Sequence, residues 1–352
     1  MTETIAGSQL LAEIREQPAA LRRLVEELPE YEAAAARMRD HGPALVRLVG
    51  HGSSDNAASY AVYAFSLLPG WTAMRDSISL SVYYGAELDL SRSCVVALSQ
   101  SGRTPDVVDY TERARRRGAL TIALTNDVDS ALAAACELVL PLAAGPEHAI
   151  AATKTYTTQV AALGLLAGCA AGDGTRVASG IREVAELMAG LIPALEPRVR
   201  EMVSSLAFVG RMFVIGRGPE FATAREISLK LLETCKVAVE PLTATDFAHG
   251  PVAALDGLFP VWAVAADDAG LPAVREAAEL ARAKGATLIA SGTAARALEG
   301  AAHVLPVPAP SIDLLAPVLS VVPGQLLAWA LAQAKGLDPD RPAGLSKVTL
   351  AR

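Results

Sequence analysis

Four cysteines in 352 residues, Cys94, Cys136, Cys169 and Cys235, are too few and too scattered to staple a fold. None stands in a CxxC pair, so no thiolate metal site is expected, and their mostly apolar neighbours read as reduced, buried thiols. Aromatic residues make up only 5% of the chain, and a net charge of −7 argues against nucleic acid as the main partner. The one basic cluster, Arg113, Arg115, Arg116 and Arg117, reads as a solvated helix face. The first residues, MTETIAGSQ, show neither a basic n-region nor an apolar h-region, and the longest apolar stretch, near 160–170, falls short of a membrane span. These absences lead to the expectation of a soluble, intracellular, cytoplasmic protein without membrane or nucleic-acid partners.

What the chain does have is 52% hydrophobic residues, ample core for two to three domains of roughly 100–200 residues each. The most informative segment is VVALSQSGRTPDVVDYTERARRRG at 95–118, where an apolar β-branched run ends in Ser99, Gln100, Ser101, Gly102 and Thr104 and a helix begins. Hydroxyls and a glycine-permissive backbone at a helix N-terminus suit a bound phosphate. The absence of a lysine there favours a phosphorylated metabolite over a nucleoside triphosphate. The same residues also suit an ordinary turn capped by Ser101 or Thr104. A second strand–loop–helix, VRLVGHGSSDNAASYAVYA at 46–64, carries Gly50, Gly52, Ser53 and Ser54 in the matching place. Two such N-termini on neighbouring parallel strands can hold one phosphate between them. The dinucleotide fingerprint is incomplete, with no third glycine and no clearly placed acidic residue, so NAD is set aside and no cofactor or metal is expected.

The chain is a duplication. The 46–64 segment returns as MFVIGRGPEFATAREISLK at 212–230, an offset of 166, and ARRRGALTIALTN at 114–126 returns as ARAKGATLIASGT at 281–293, an offset of 167. Each half alternates apolar strands with amphipathic helices, which predicts two tandem doubly wound parallel sheets of the α/β class. The expected boundaries are a helical lead-in over 1–40, probed by a break near Pro29, a first domain over 41–195, a second over 196–336 and a tail over 337–352. Pro197 to Val203 reads as a helical connection between the halves. In the second copy the cradle has become AVAADDAGLP, with Asp267 and Asp268 in place of Gln100 and Ser101, so only the first half is expected to bind an anion.

The second half holds candidate chemistry. Glu226, Lys230 and Glu233 fall at i, i+4 and i+7 on one helix face, and His249 precedes Gly250-Pro251 in a loop. A surface salt-bridge stripe and a structural histidine are the plain alternatives. A carboxylate, an imidazole and a lysine near a phosphate site nonetheless suit proton transfer at a sugar carbonyl.

The spacing LKLLE-x15-HGP, together with LSQSGRTPD, AATKTYTTQ at 151–159, VVPGQLLAWALAQAKGLDPDRP at 321–342 and GLSKVTL at 344–350, resembles the sugar isomerase (SIS) family over about residues 45–352. The likeness is to the isomerase half of glucosamine-6-phosphate synthase and to stand-alone amino-sugar-phosphate deaminases and isomerases. It implies a flavodoxin-like SIS fold in each half, a homodimer with shared active sites, and a tail lying over the active site. By that resemblance Gly52, Ser53, Ser54, Ser99, Gln100, Ser101, Thr104 and Ser346 would hold the phosphosugar. Glu233 would be the base between C1 and C2, and His249 the ring-opening group reaching in from the partner subunit. Lys347 would engage the ketose carbonyl, and Lys230 would stabilise enediolate charge.

Departures from the synthase pattern bear on the reaction. Met1 is followed by Thr2 where the synthase has a nucleophilic cysteine, no amidotransferase domain is expected, and Ala152 replaces a serine used near the sugar. Both Ala152 and the GLSKVT ending are similar to the deaminase branch. The expected activity is therefore glucosamine 6-phosphate to fructose 6-phosphate plus ammonia. Galactosamine 6-phosphate or an Amadori product are alternative substrates, and a non-catalytic sugar-phosphate sensor is the alternative from another class.

Overall fold

The computed structural model describes residues 6–347. Met1, Thr2 and the last residues of the tail motif, 348–352, lie outside the described residues. The chain divides into two units, one of residues 19–147, 154–182 and 346–347 and the other of residues 6–18, 148–153 and 183–345, with the division falling inside two long helices. These are α1 (Ser8–Glu26) and α8 (Gly174–Leu206), and the stretch Pro197 to Val203 lies within the second. The lead-in breaks at Glu27, and α2 (Leu28–His41) carries Pro29 in its first turn, where a missing N–H costs nothing.

In the first unit β1 (Leu45–Val49) leads through α3 (Ser53–Leu67) to β2 (Ala73–Arg75). Then come α4 (Ile78–Val82), β3 (Ser93–Ser99), α5 (Pro105–Arg116), β4 (Leu120–Thr125), α6 (Ala131–Ala135), β5 (Leu138–Pro141) and α7 (Lys154–Ala170). The strands pair in the order β2-β1-β3-β4-β5, all parallel. Every residue of β3 and β4 is buried, because both faces of a doubly wound sheet are covered, which is why they read as unbroken apolar runs. Val95, Ala97, Val107, Tyr110 and Ala114 form one such covered face, between the sheet and α5.

The second unit repeats the plan. It contains β6 (Arg211–Gly216), α9 (Glu220–Cys235), β7 (Ala238–Thr243), α10 (Ala244–Ala248), β8 (Pro260–Val264) and α11 (Leu271–Ala283). β9 (Thr287–Gly292), β10 (His303–Pro306), α12 (Ala316–Ser320) and α13 (Val322–Ala334) follow. Its sheet order, β10-β9-β8-β6-β7, is the order of the first unit written from the other edge. Two sheets of one topology are what the 166-residue offset requires.

One expectation is corrected here. The most membrane-like stretch is not near 160–170 but runs from Asp313 to Ala334, 22 residues of mean hydropathy 1.8 that are long and apolar enough to cross a membrane. In this fold 94% of its 18-residue apolar window is buried, and it covers α9, with Gly324 placed so close that a Cβ would collide with Ile227.

Candidate active site

In the first sheet the chain steps from β1 to β2 on one side and then to β3 on the other, so the strand order reverses between β1 and β3. Open α/β sheets bind ligands outside the carboxyl ends of the strands at such a point. Both hydroxyl-bearing loops leave the sheet there. Gly52, just before α3, has φ 56° and ψ −127°, a conformation open to glycine. Gly102 has φ 61°, and a Cβ on it would collide with Ser130. Neither α3 nor α5 has a side-chain cap hydrogen bond, so the reading of a turn capped by Ser101 or Thr104 does not hold.

The hydroxyls divide into two groups. Ser99 is buried, and its Oγ accepts the Gly102 N–H at 3.1 Å and lies 3.2 Å from Thr104 Oγ1. Ser54 is buried as well, accepting a hydrogen bond from Gln159 Nε2 at 2.9 Å. These two shape the loops from within. Ser53, Gln100, Ser101 and Thr104 are half-buried and Gly52 is exposed, so they form the part of the cradle that reaches solvent. The Gln100 carbonyl accepts from Asn126 N at 3.2 Å and Ser101 Oγ accepts from Arg103 N at 3.3 Å, which fixes the loop between β3 and α5.

Two features of this unit were not anticipated from the sequence. Between the loops, His51 Nε2 lies 2.6 Å from Oδ2 of Asp106 in the first turn of α5. Farther along, Glu147, fully buried, receives the Lys347 ammonium at 2.8 Å, the Thr155 hydroxyl at 2.7 Å and the Thr155 N–H at 3.1 Å. Burial by itself would push the Glu147 carboxyl up, but Lys347 and the Thr155 donors outweigh it and hold the group below its ordinary range. Lys347 thus sits on a buried carboxylate, while its neighbour Ser346 is exposed. No spacing rule joins positions 147 and 347; the nearest signal is a glutamate among small residues just before an N-terminal helical run of threonines.

In the second unit α9 carries Glu226, Lys230 and Glu233 on one face, as the spacing requires. Lys230 Nζ lies 2.6 Å from Glu233 and 3.5 Å from Glu226. The face is not a surface stripe: the side chains of Glu226 and Lys230 are 0% and 2% exposed, whereas Glu233 reaches 23%. A buried cation therefore stands behind a carboxylate that reaches solvent. His249 caps the C-terminus of α10, its N–H bonded to Asp246 O, and it is exposed before Gly250. Among the described residues no hydrogen bond or ion pair joins its ring to the α9 charges.

The second copy of the cradle is acidic. Asp268 Oδ1 accepts the Gly270 N–H at 2.7 Å, and Asp267 N donates to Thr293 Oγ1 at 3.0 Å. At the start of α9, Glu220 is 1% exposed, accepting from Thr223 Oγ1 at 2.6 Å and Ser320 Oγ at 2.7 Å. Burial pushes its carboxyl up to about 7, against the pull of the two hydroxyls and with Asp268 adding to the rise. A carboxyl raised from 4.5 to about 7 stabilises the fold below pH 4.5 and loses that contribution as pH rises through 7. Glu220→Gln should therefore gain on the natural chain by about 3 kcal/mol between pH 4.5 and pH 8. Urea unfolding at the two pH values checks this, and an equal difference at both would show that Glu220 titrates normally.

Known proteins are similar to this chain in sequence and in fold. The SIS domain family matches residues 46–168 and 205–334. The glutamine–fructose-6-phosphate aminotransferase (isomerizing) of Aeropyrum pernix is 36% identical over 352 residues, covering 96% of this chain and 56% of its own length. The chain thus spans little more than half of that relative. A candidate phosphosugar isomerase from Silicibacter pomeroyi superposes with a TM-score of 0.85 at 33% identity, over 94% of this chain and 99% of that one. Glucosamine-6-phosphate deaminase from Thermotoga maritima shares the fold, with a TM-score of 0.79 at 23% identity over 98% of this chain and 100% of its own.

Proposed function

We propose that this chain, which belongs to the SIS domain family, is a phosphosugar isomerase that releases ammonia, converting glucosamine 6-phosphate to fructose 6-phosphate. The observation that carries the reading is Glu233, a carboxylate that reaches solvent 2.6 Å from the buried Lys230 behind it. A carboxylate so placed can meet a substrate and take a proton from carbon. The hydroxyl loops at the β1/β3 reversal supply the other half of the reading, because two uncapped helix N-termini favour a phosphate dianion.

The chemistry then runs on the open-chain sugar, with His249 as the ring-opening acid and base. Glu233 removes the C2 proton, and the electron pair forms the C1=C2 bond of an enolamine whose developing O1 charge Lys230 stabilises. Return of the proton to C1, with O1 gaining the proton that the nitrogen gives up, leaves a C2 imine. Water adds at C2, ammonia leaves, and the ketose remains. Lys347 engages the ketose carbonyl, and the buried carboxylate of Glu147 fixes where its amine stands. Glu233, His249, Lys230 and Lys347 are thus the proposed catalytic groups. Gly52, Ser53, Ser54, Ser99, Gln100, Ser101, Thr104 and Ser346 are the proposed binding groups, Ser54 and Ser99 acting by shaping the loops.

The test is a panel of glucosamine 6-phosphate, galactosamine 6-phosphate and fructosamine 6-phosphate beside their unphosphorylated counterparts, assayed for ammonia and ketose. Ammonia and fructose 6-phosphate should appear one to one from glucosamine 6-phosphate, with no turnover of the free sugar. Release from another member only would reassign the substrate, and no proton exchange or ammonia from any member would remove the reading.

A further inference from the structure

The cradle contains a charge that does not belong there. Asp106 is in the first turn of α5, its side chain largely buried, with Oδ1 accepting the Val107 N–H at 3.0 Å. A carboxylate at a helix N-terminus satisfies the same dipole that would attract a phosphate, so an unopposed Asp106 competes with the ligand and repels it. Among the described residues its ion-pair partner is His51, whose ring is 55% exposed and comes from the loop of the other helix N-terminus, next to Gly52. Arg103, three residues before it, is turned to Asp127 at 3.1 Å.

Resting on the phosphosugar reading above, we propose that His51 is the counter-ion of Asp106, a positioning residue that masks this carboxylate so that the two loops can accept one phosphate. Nε2 of the ring is committed to Asp106, which leaves Nδ1 for solvent or ligand. The bond at 2.6 Å also ties the β1 loop to the first turn of α5, so charge masking and loop spacing come from one side chain. Neither residue has to touch the reacting carbons, and their effect belongs to binding, not to turnover.

The discriminating variants are His51→Ala, Asp106→Asn and the two combined, in the full chain, with glucosamine 6-phosphate as substrate and inorganic phosphate as the minimal probe in calorimetric titration. His51→Ala should raise KM and weaken phosphate binding by about tenfold or more, with kcat within about threefold of the natural chain. Adding Asp106→Asn should restore binding to within about threefold, because the charge that needed masking is gone. That rescue separates masking from a merely structural histidine. If His51→Ala binds phosphate as the natural chain does, or if the double variant is as weak as His51→Ala, the inference is overturned while the phosphosugar reading stands. If the natural chain itself shows no preference for phosphorylated sugars, both are overturned.

Discussion

Glu233→Gln should lower turnover of the amino-sugar phosphate by about 10²–10⁴-fold while leaving its binding nearly intact. Glutamine keeps the shape and one acceptor for Lys230, which also lies 3.5 Å from Glu226, so the helix face loses basicity and little else. The two effects are read separately, binding by calorimetry with glucosamine 6-phosphate and proton transfer by exchange of the C2 hydrogen into deuterated water. Wild-type exchange in the variant would reduce Glu233 to the outer member of a buried ion-pair chain.

Mixing two inactive chains should restore activity. The likeness to the family implies that His249, exposed at the end of α10, serves the site of a second copy. In a two-fold dimer refolded from equal amounts of His249→Ala and Glu233→Gln chains, half of the dimers are mixed. Each mixed dimer has one site with both residues intact and one with neither. Activity should rise from nearly nothing to about one quarter of the natural level, the statistical ceiling for a symmetric pair. Dimers that form and stay inactive would show that His249 acts within its own chain or not at all.

The duplication was legible because it is written in glycines: Gly50 and Gly52 recur as Gly216 and Gly218, and the two sheets share one strand order. Sheet class was legible for a related reason, since strands covered on both faces have no polar alternation to hide them. The loops of the candidate site were also visible, but not the direction of each hydroxyl. Ser99 and Ser101 look equivalent in sequence, yet one turns inward onto Gly102 N and the other is half-buried, a difference set by the strand pleat and the turn. Burial of the α9 charges was invisible because it depends on α13, almost a hundred residues on, closing over that helix. His51–Asp106 and Glu147–Lys347 have no signature either, for pairs separated by 55 and 200 positions obey no local periodicity.

The Lys347–Glu147 contact carries a consequence in proton accounting. A lysine that leaves this carboxylate as a cation strands a negative charge at 0% exposure, which the protein interior resists far more than water does. Burial, the largest influence on Glu147, pushes its carboxyl up, so the lowered position it holds here depends on the lysine staying. Contact with the tail and the charge of Glu147 are thus linked across 200 positions: whatever draws Lys347 away favours uptake of a proton by the carboxylate.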